Sequence, residues 1–122
     1  MPHIIVEHSK NISLKQEFLH EIQKIMHEHK EGNFDLEACK ARFIKFDEYL
    51  VGSKNQKDSA FLHISIKIMA GRAPMVKKEV AEKISAFAQS EIKKHGTKVA
   101  RTDLSVDVID MCRESYQKIT IS

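Results

Sequence analysis

Residues Ala60 to Met69 alternate without a break, with Leu62, Ile64, Ile66 and Ile68 on one side and Phe61, His63, Ser65 and Lys67 on the other. Successive side chains of a strand point to opposite faces, so this run predicts a strand with one dry face and one mixed face. A helix signal follows. After Ala70-Gly71-Arg72-Ala73, Pro74 suits a first helical position, where its missing N–H costs nothing. Val76, Val80, Ile84, Phe87, Ala88 and Ile92 recur at helical spacing, and Gly96 fits the stop. A last strand is predicted over about Asp103 to Ile109, with Leu104, Val106 and Val108 on one face. The tail, Arg113 to Ser122, has no clear period.

The first half reads the same way. A strand runs from Pro2 to Glu7 or His8. Ser13 followed at the third position by Gln16 has the pattern of a capping box. Phe18, Leu19, Ile22, Ile25, Met26 and His29 then mark one buried helical face, and Gly32-Asn33 stop it. A second strand is predicted near Cys39 to Val51, rich in aromatic and branched residues, and residues 52–58 are polar and turn-like.

The chain is therefore one α+β domain over residues 1–122, made of two pseudo-repeats, about 1–55 and 56–122. Each repeat is a β-α-β unit. Right-handed crossovers place both helices on one face of a four-stranded sheet. The other face is expected to carry His3, Ile5, Phe43, Lys45, His63, Ser65, Lys67, Ser105 and Asp107. Two helices cannot cover both faces, so the apolar members of the second face favour self-association.

Composition excludes several classes. No apolar run approaches the roughly 20 residues that span a bilayer. The first apolar stretch, Ile4-Ile5-Val6, is followed by Glu7 and is no signal peptide, so a cytoplasmic location and no membrane partner are expected. Cys39 and Cys112 form no CxxC pair and read as reduced, structural thiols. The net charge of +3 favours small anions slightly and does not indicate nucleic acid. There are 7 histidines, but His27 and His29 are two apart on a helix, with no HExxH, so no metal site is expected. With only 4 glycines there is no phosphate-cradling array, and no Gly-x-Ser-x-Gly elbow appears.

Chemistry is better sought at Pro2. Initiator methionine is usually removed before proline, which leaves a free secondary amine. Ordinary α-amines titrate at about 7.7–8.0, and burial or nearby cations lower that value. An amine poised near neutrality is an efficient general acid–base. Arg72 lies between a strand and a helix N-terminus, a place that attracts anions, and its fork grips a carboxylate at two points. Lys40 and Arg42, two apart on a strand, share one face and repel each other unless an anion joins them. Read singly, each of these cations is more simply a solvated surface residue.

Taken together, these segments resemble the tautomerase superfamily, and within it the 5-carboxymethyl-2-hydroxymuconate Δ-isomerases. The likeness is carried by residues 1–7, by Lys40-Ala41-Arg42 leading into Phe46-Asp47-Glu48-Tyr49, and above all by residues 58–72. The tail Arg113-Glu114-Ser115-Tyr116-Gln117-Lys118 is also similar. The resemblance implies a homotrimer, no cofactor, and Pro2 as the acid–base residue once exposed. Arg72 matches the family's substrate-binding arginine after the third strand, and Arg42 the one on the second. Where some relatives have an earlier arginine, this chain has Lys40, which supplies charge without a planar grip.

The implied reaction converts 5-carboxymethyl-2-hydroxymuconate, a dienol with three carboxylates, into its 2-oxo isomer in aromatic-acid catabolism. Pro2, Arg42 and Arg72 are the expected catalytic residues, with Lys40 also binding the dicarboxylate or tricarboxylate substrate. Two other readings stand beside it: a general keto–enol tautomerase of the phenylpyruvate type, and a non-catalytic oligomeric binding protein of the same fold.

Overall fold

The computed structural model describes residues 1–53, 55–95 and 97–122. Four strands form one sheet: β1 (His3–Ser9), β2 (Lys40–Phe46), β3 (Ser59–Met69) and β4 (Arg101–Met111). Two helices, α1 (Gln16–His27) and α2 (Pro74–His95), complete the two β-α-β units. The strand order is β2-β1-β3-β4; β1 pairs parallel to β2 and antiparallel to β3, and β3 pairs parallel to β4. This is the expected α+β architecture.

The core lies between the sheet and the helices. Ile4 and Val6 of β1 and Leu62, Ile64, Ile66 and Ile68 of β3 are buried, as the alternation requires. Phe18, Ile22 and Met26 of α1 and Val76, Val80, Ile84 and Ala88 of α2 meet them.

Several boundaries differ from expectation. Ser13 is not the cap of α1: the helix starts three residues later, after Lys15, with no side-chain cap bond. The preceding chain is held instead in a turn. Asn11 Nδ2 donates to the Ser59 carbonyl at 2.9 Å, Ile12 N donates to Ser9 O at 3.1 Å, and Ile12 is buried. The helix cannot begin until that side chain is placed. His29 lies beyond the end of α1, although it is buried as its place in the pattern suggested. Strand β2 ends at Phe46 because its partner runs out at Ser9; Val51 makes only an isolated bridge. Strand β4 is longer than predicted because it pairs with the whole of β3. The helix stop assigned to Gly96 falls outside the described residues.

The open face of the sheet also needs correction. Parallel register sets Val6 beside Phe43 and His8 beside Lys45. Residues adjacent in register point to the same side. Phe43 therefore faces the helices and packs edge-on to His8, 5.7 Å between ring centres, and Lys45 shares its side. Arg42 and Ile44 take their place on the open face with His3, Ile5, His63, Ser65 and Lys67. His63 is tied to Ser105 there at 2.6 Å. No helix among the described residues is long and apolar enough to cross a membrane.

Candidate active site

Topology gathers the site at one end of the sheet. Because β1 and β3 are antiparallel, the start of β1 lies beside the end of β3. Because β3 and β4 are parallel, the end of β4 lies there too. Pro2 therefore meets Ile68, Met69 and the residues that follow β3 and β4. Helix α1 runs back from the far end of β1, so the segment after it returns to the same place. Together these segments enclose a cleft of about 220 Å³. Pro2, Asn33, Phe34, Asp35, Arg72 and Arg113 line it, with Met1, Ile68 and Met69.

Pro2 is fully buried, and its carbonyl accepts from Lys40 N at 2.9 Å, which fixes the strand start. With Met1 attached, the Pro2 nitrogen is an amide. The Met1 ammonium donates to the Ala38 carbonyl. Burial first, then the charges of Lys40 and Lys118, lower the pKa of that amine below its ordinary range.

Arg72 is held by three carbonyls and a ring. Its Nε donates to Gly32 O at 2.6 Å, while Nη1 reaches Met69 O and Nη2 reaches Asn33 O, each at 3.5 Å. Its Cζ stands 4.2 Å from the centre of the Phe34 ring. Gly71, at φ +124°, makes the turn that sends Arg72 back over the cleft. Arg113 Nε donates to Ala70 O at 2.9 Å, on the same turn. Burial, and secondarily the charge of Arg113, lower the Arg72 pKa. The ion pairs formed among the described residues involve neither arginine. Two guanidinium groups brought together without a carboxylate partner make a place for an anionic ligand.

The other predicted residues separate. Lys40 Nζ donates to Ala38 O at 2.8 Å, near the N-terminal amine but not lining the cleft. Arg42 lies on the open face of the sheet, its Nη1 3.2 Å from His3 Nδ1, and does not line the cleft within one protomer. His3 Nε2 lies 3.0 Å from the Tyr116 hydroxyl. Cys39 is half-buried, and burial pushes its thiol pKa up, so it stays protonated. Among the described residues, no three His, Cys, Asp or Glu side chains gather as a metal site.

Sequence reasoning missed Arg113 and the wall formed by Asn33, Phe34 and Asp35. The signals for Arg113 were its place just beyond the last strand, matching that of Arg72 beyond the third, and its position in the tail segment that shares the family resemblance. A larger groove, about 470 Å³, lies between the helices; its charged and titratable lining is Lys15, Glu17, Glu21, Glu91 and His95, so carboxylates outnumber the cation. Its carboxylates disfavour an acidic substrate.

The sequence profile of the family described as 5-carboxymethyl-2-hydroxymuconate isomerase matches residues 2–121. The chain belongs to that family. This makes it an isomerase with the tautomerase fold. Solved structures agree in architecture. A 5-carboxymethyl-2-hydroxymuconate isomerase from Deinococcus radiodurans R1 is similar with a TM-score of 0.87 at 21% identity, covering 98% of this chain and 90% of that one. A 5-carboxymethyl-2-hydroxymuconate delta-isomerase is similar with a TM-score of 0.77 at 17% identity, over 98% and 88%. A fused 4-OT wild type symmetric trimer gives 0.70 at 19% identity, over 92% and 88%. At these identities the structural likenesses establish the fold alone. No curated protein matches in sequence.

Proposed function

We propose that this isomerase converts 5-carboxymethyl-2-hydroxymuconate to its 2-oxo isomer, with Pro2 as the proton carrier after Met1 is removed. The observation that carries the reading is the shared cleft of Pro2, Arg72 and Arg113. Neutral Pro2 takes the proton of the 2-hydroxyl group. The oxygen electrons form the 2-oxo group, the C2–C3 double bond moves to C3–C4, and the C4–C5 pair takes the proton from Pro2 at C5. One base serves both ends, and its protonation state is restored. Arg72 and Arg113 hold the carboxylates and stabilise charge that shifts toward the oxygen end. Arg72 cannot be replaced by lysine without losing the two-point grip.

The protomer leaves Ile5, Ile44 and Arg42 on the open sheet face. We assign that face to a homotrimer interface; a fused 4-OT of the same fold is a symmetric trimer. In that assembly we infer that Arg42, with Lys40 at the sheet edge, supplies a further cation to the cleft of a neighbouring protomer.

The test is a steady-state assay with the hydroxymuconate on protein whose first residue has been verified by intact mass. Turnover of the tri-anionic dienol, lost by about 100-fold or more in Pro2→Ala, supports the assignment. Activity on aryl pyruvates alone makes the protein a general keto–enol tautomerase. Retained Met1 in active protein rejects Pro2 as the base.

A further inference from the structure

We infer that His29 is a positioning residue for the Arg72 guanidinium, acting through Gly32. The inference rests on Arg72 being the anion-holding residue of the proposed function. His29 follows α1 and is buried, with its side chain 6% exposed. Its Nδ1 accepts from Gly32 N–H at 3.0 Å. An accepting Nδ1 carries no proton, so in the neutral ring Nε2 carries it. That Nε2 lies 3.2 Å from Glu79 Oε1 on α2 and donates to it. The imidazole thus joins two elements: the segment that walls the cleft, and the helix whose first turn follows Arg72.

The backbone of His29 completes the grip. Its carbonyl accepts from Asn33 N at 3.2 Å. The two peptide planes on either side of the Gly32 Cα are therefore both tied to one residue, one by the ring and one by the main chain. Gly32 otherwise has the widest conformational freedom in the segment. The second of those planes presents Gly32 O to Arg72 Nε at 2.6 Å, and the next carbonyl, of Asn33, faces Nη2. Asn33 itself holds a left-handed conformation at φ 51°. Releasing the ring from Gly32 N–H frees the first plane and leaves the second, which carries the carbonyl that aims the guanidinium, held only through Asn33 N–H. The partners of the His29 ring, Gly32 and Glu79, do not line the cleft, so the influence of the ring on substrate passes through Gly32 and Arg72.

Two replacements separate the two ends of the ring. His29→Asn places an acceptor near the position of Nδ1 and loses the contact with Glu79. His29→Gln reaches toward Glu79 and leaves Gly32 N–H without its acceptor. Both are polar and similar in burial cost. On the hydroxymuconate, His29→Gln is expected to lower kcat/KM by about tenfold, the scale of one lost buried hydrogen bond, with KM raised as in Arg72→Ala. His29→Asn is expected to recover most of that loss. In the Arg72→Ala background the Gln replacement should cost nothing more, since the group it aims is gone. Equal losses in Asn and Gln, or a Gln loss that persists in full without Arg72, overturn the inference and leave the function intact. An Arg72→Ala variant with wild-type kinetics overturns both.

A readout without substrate covers the case in which the dienol is not turned over. The Arg72 Nε–H proton should exchange slowly with solvent in the wild type and in His29→Asn, and fast in His29→Gln. Slow exchange in all three also overturns the inference.

Discussion

The guanidinium carbon of Arg72 stands 4.2 Å from the centre of the Phe34 ring, and Phe34 is itself only 5% exposed. A cation over a largely desolvated ring is attracted by the ring's quadrupole. Phe34→Leu keeps an apolar wall and removes that attraction. It is expected to raise KM about fivefold, equivalent to about 1 kcal/mol of lost support, with a smaller change in kcat. Steady-state kinetics at fixed pH check this; an unchanged KM would mean that the ring only packs.

The same ring limits its neighbour. A Cβ on Gly32 would stand 2.8 Å from Phe34 Cδ2 and closer still to Cε2. The ring cannot simply swing away, because it is buried and capped by Arg72. Gly32→Ala is expected to destabilise by about 1–3 kcal/mol through overpacking, as measured by urea unfolding. Combining it with Phe34→Leu should return part of that loss. Additive losses would place the strain elsewhere.

His3 supplies a pH dependence of stability. Burial first, then Arg42, Lys40, the N-terminal amine and Lys67, depress its pKa in the folded chain; Tyr116 faces it as a neutral partner. Below the ordinary histidine value, about 6.5, the unfolded chain binds a proton that the folded chain resists. Stability is thus fully present above that pH and is lost as pH falls through the folded value. Urea midpoints between pH 7.5 and 5 should fall, and His3→Gln should flatten that part of the decline. An unchanged slope in the variant would assign the decline to other groups.

The open sheet face is expected to close a trimer. Ile44, 42% exposed in the protomer, lies on it with Ile5 and Arg42. Ile44→Glu places a charge in an apolar contact and should shift the protein from trimer to monomer in sedimentation velocity at micromolar concentration. A trimer unaffected by this change would put the interface elsewhere.

The dry face of β3 and the stripe of α2 could be read from the sequence because each has one clean period. Arg72 stood out because it sits at a strand-to-helix junction, but its ligand-binding role came from the family resemblance, since local chemistry alone fits a surface arginine as well or better. The sidedness of Phe43 and Lys45 could not be read. A run of Phe, Ile, Lys and Phe fits either face, and only the parallel register of Val6 with Phe43 decides it. Arg113 was hidden for a different reason. It follows β4 in a tail with no periodicity, and its place beside Arg72 arises from two strands of equal length ending together. The His29–Gly32 contact is also a tertiary fact: three residues apart, they meet because α1 ends at His27 and the chain turns back, not because of any helical spacing. Separating Arg42 from Pro2 within one protomer needed the sheet's sidedness as well.

The most direct test follows the Pro2 nitrogen itself, in protein labelled with ¹⁵N-proline and titrated by NMR alongside the pH profile of kcat/KM. The account predicts one proline nitrogen that titrates below the ordinary α-amine range of about 7.7–8.0, in step with the acid limb of the profile. A proline nitrogen that does not titrate in active protein, or one that titrates in the ordinary range and apart from the activity, would contradict it.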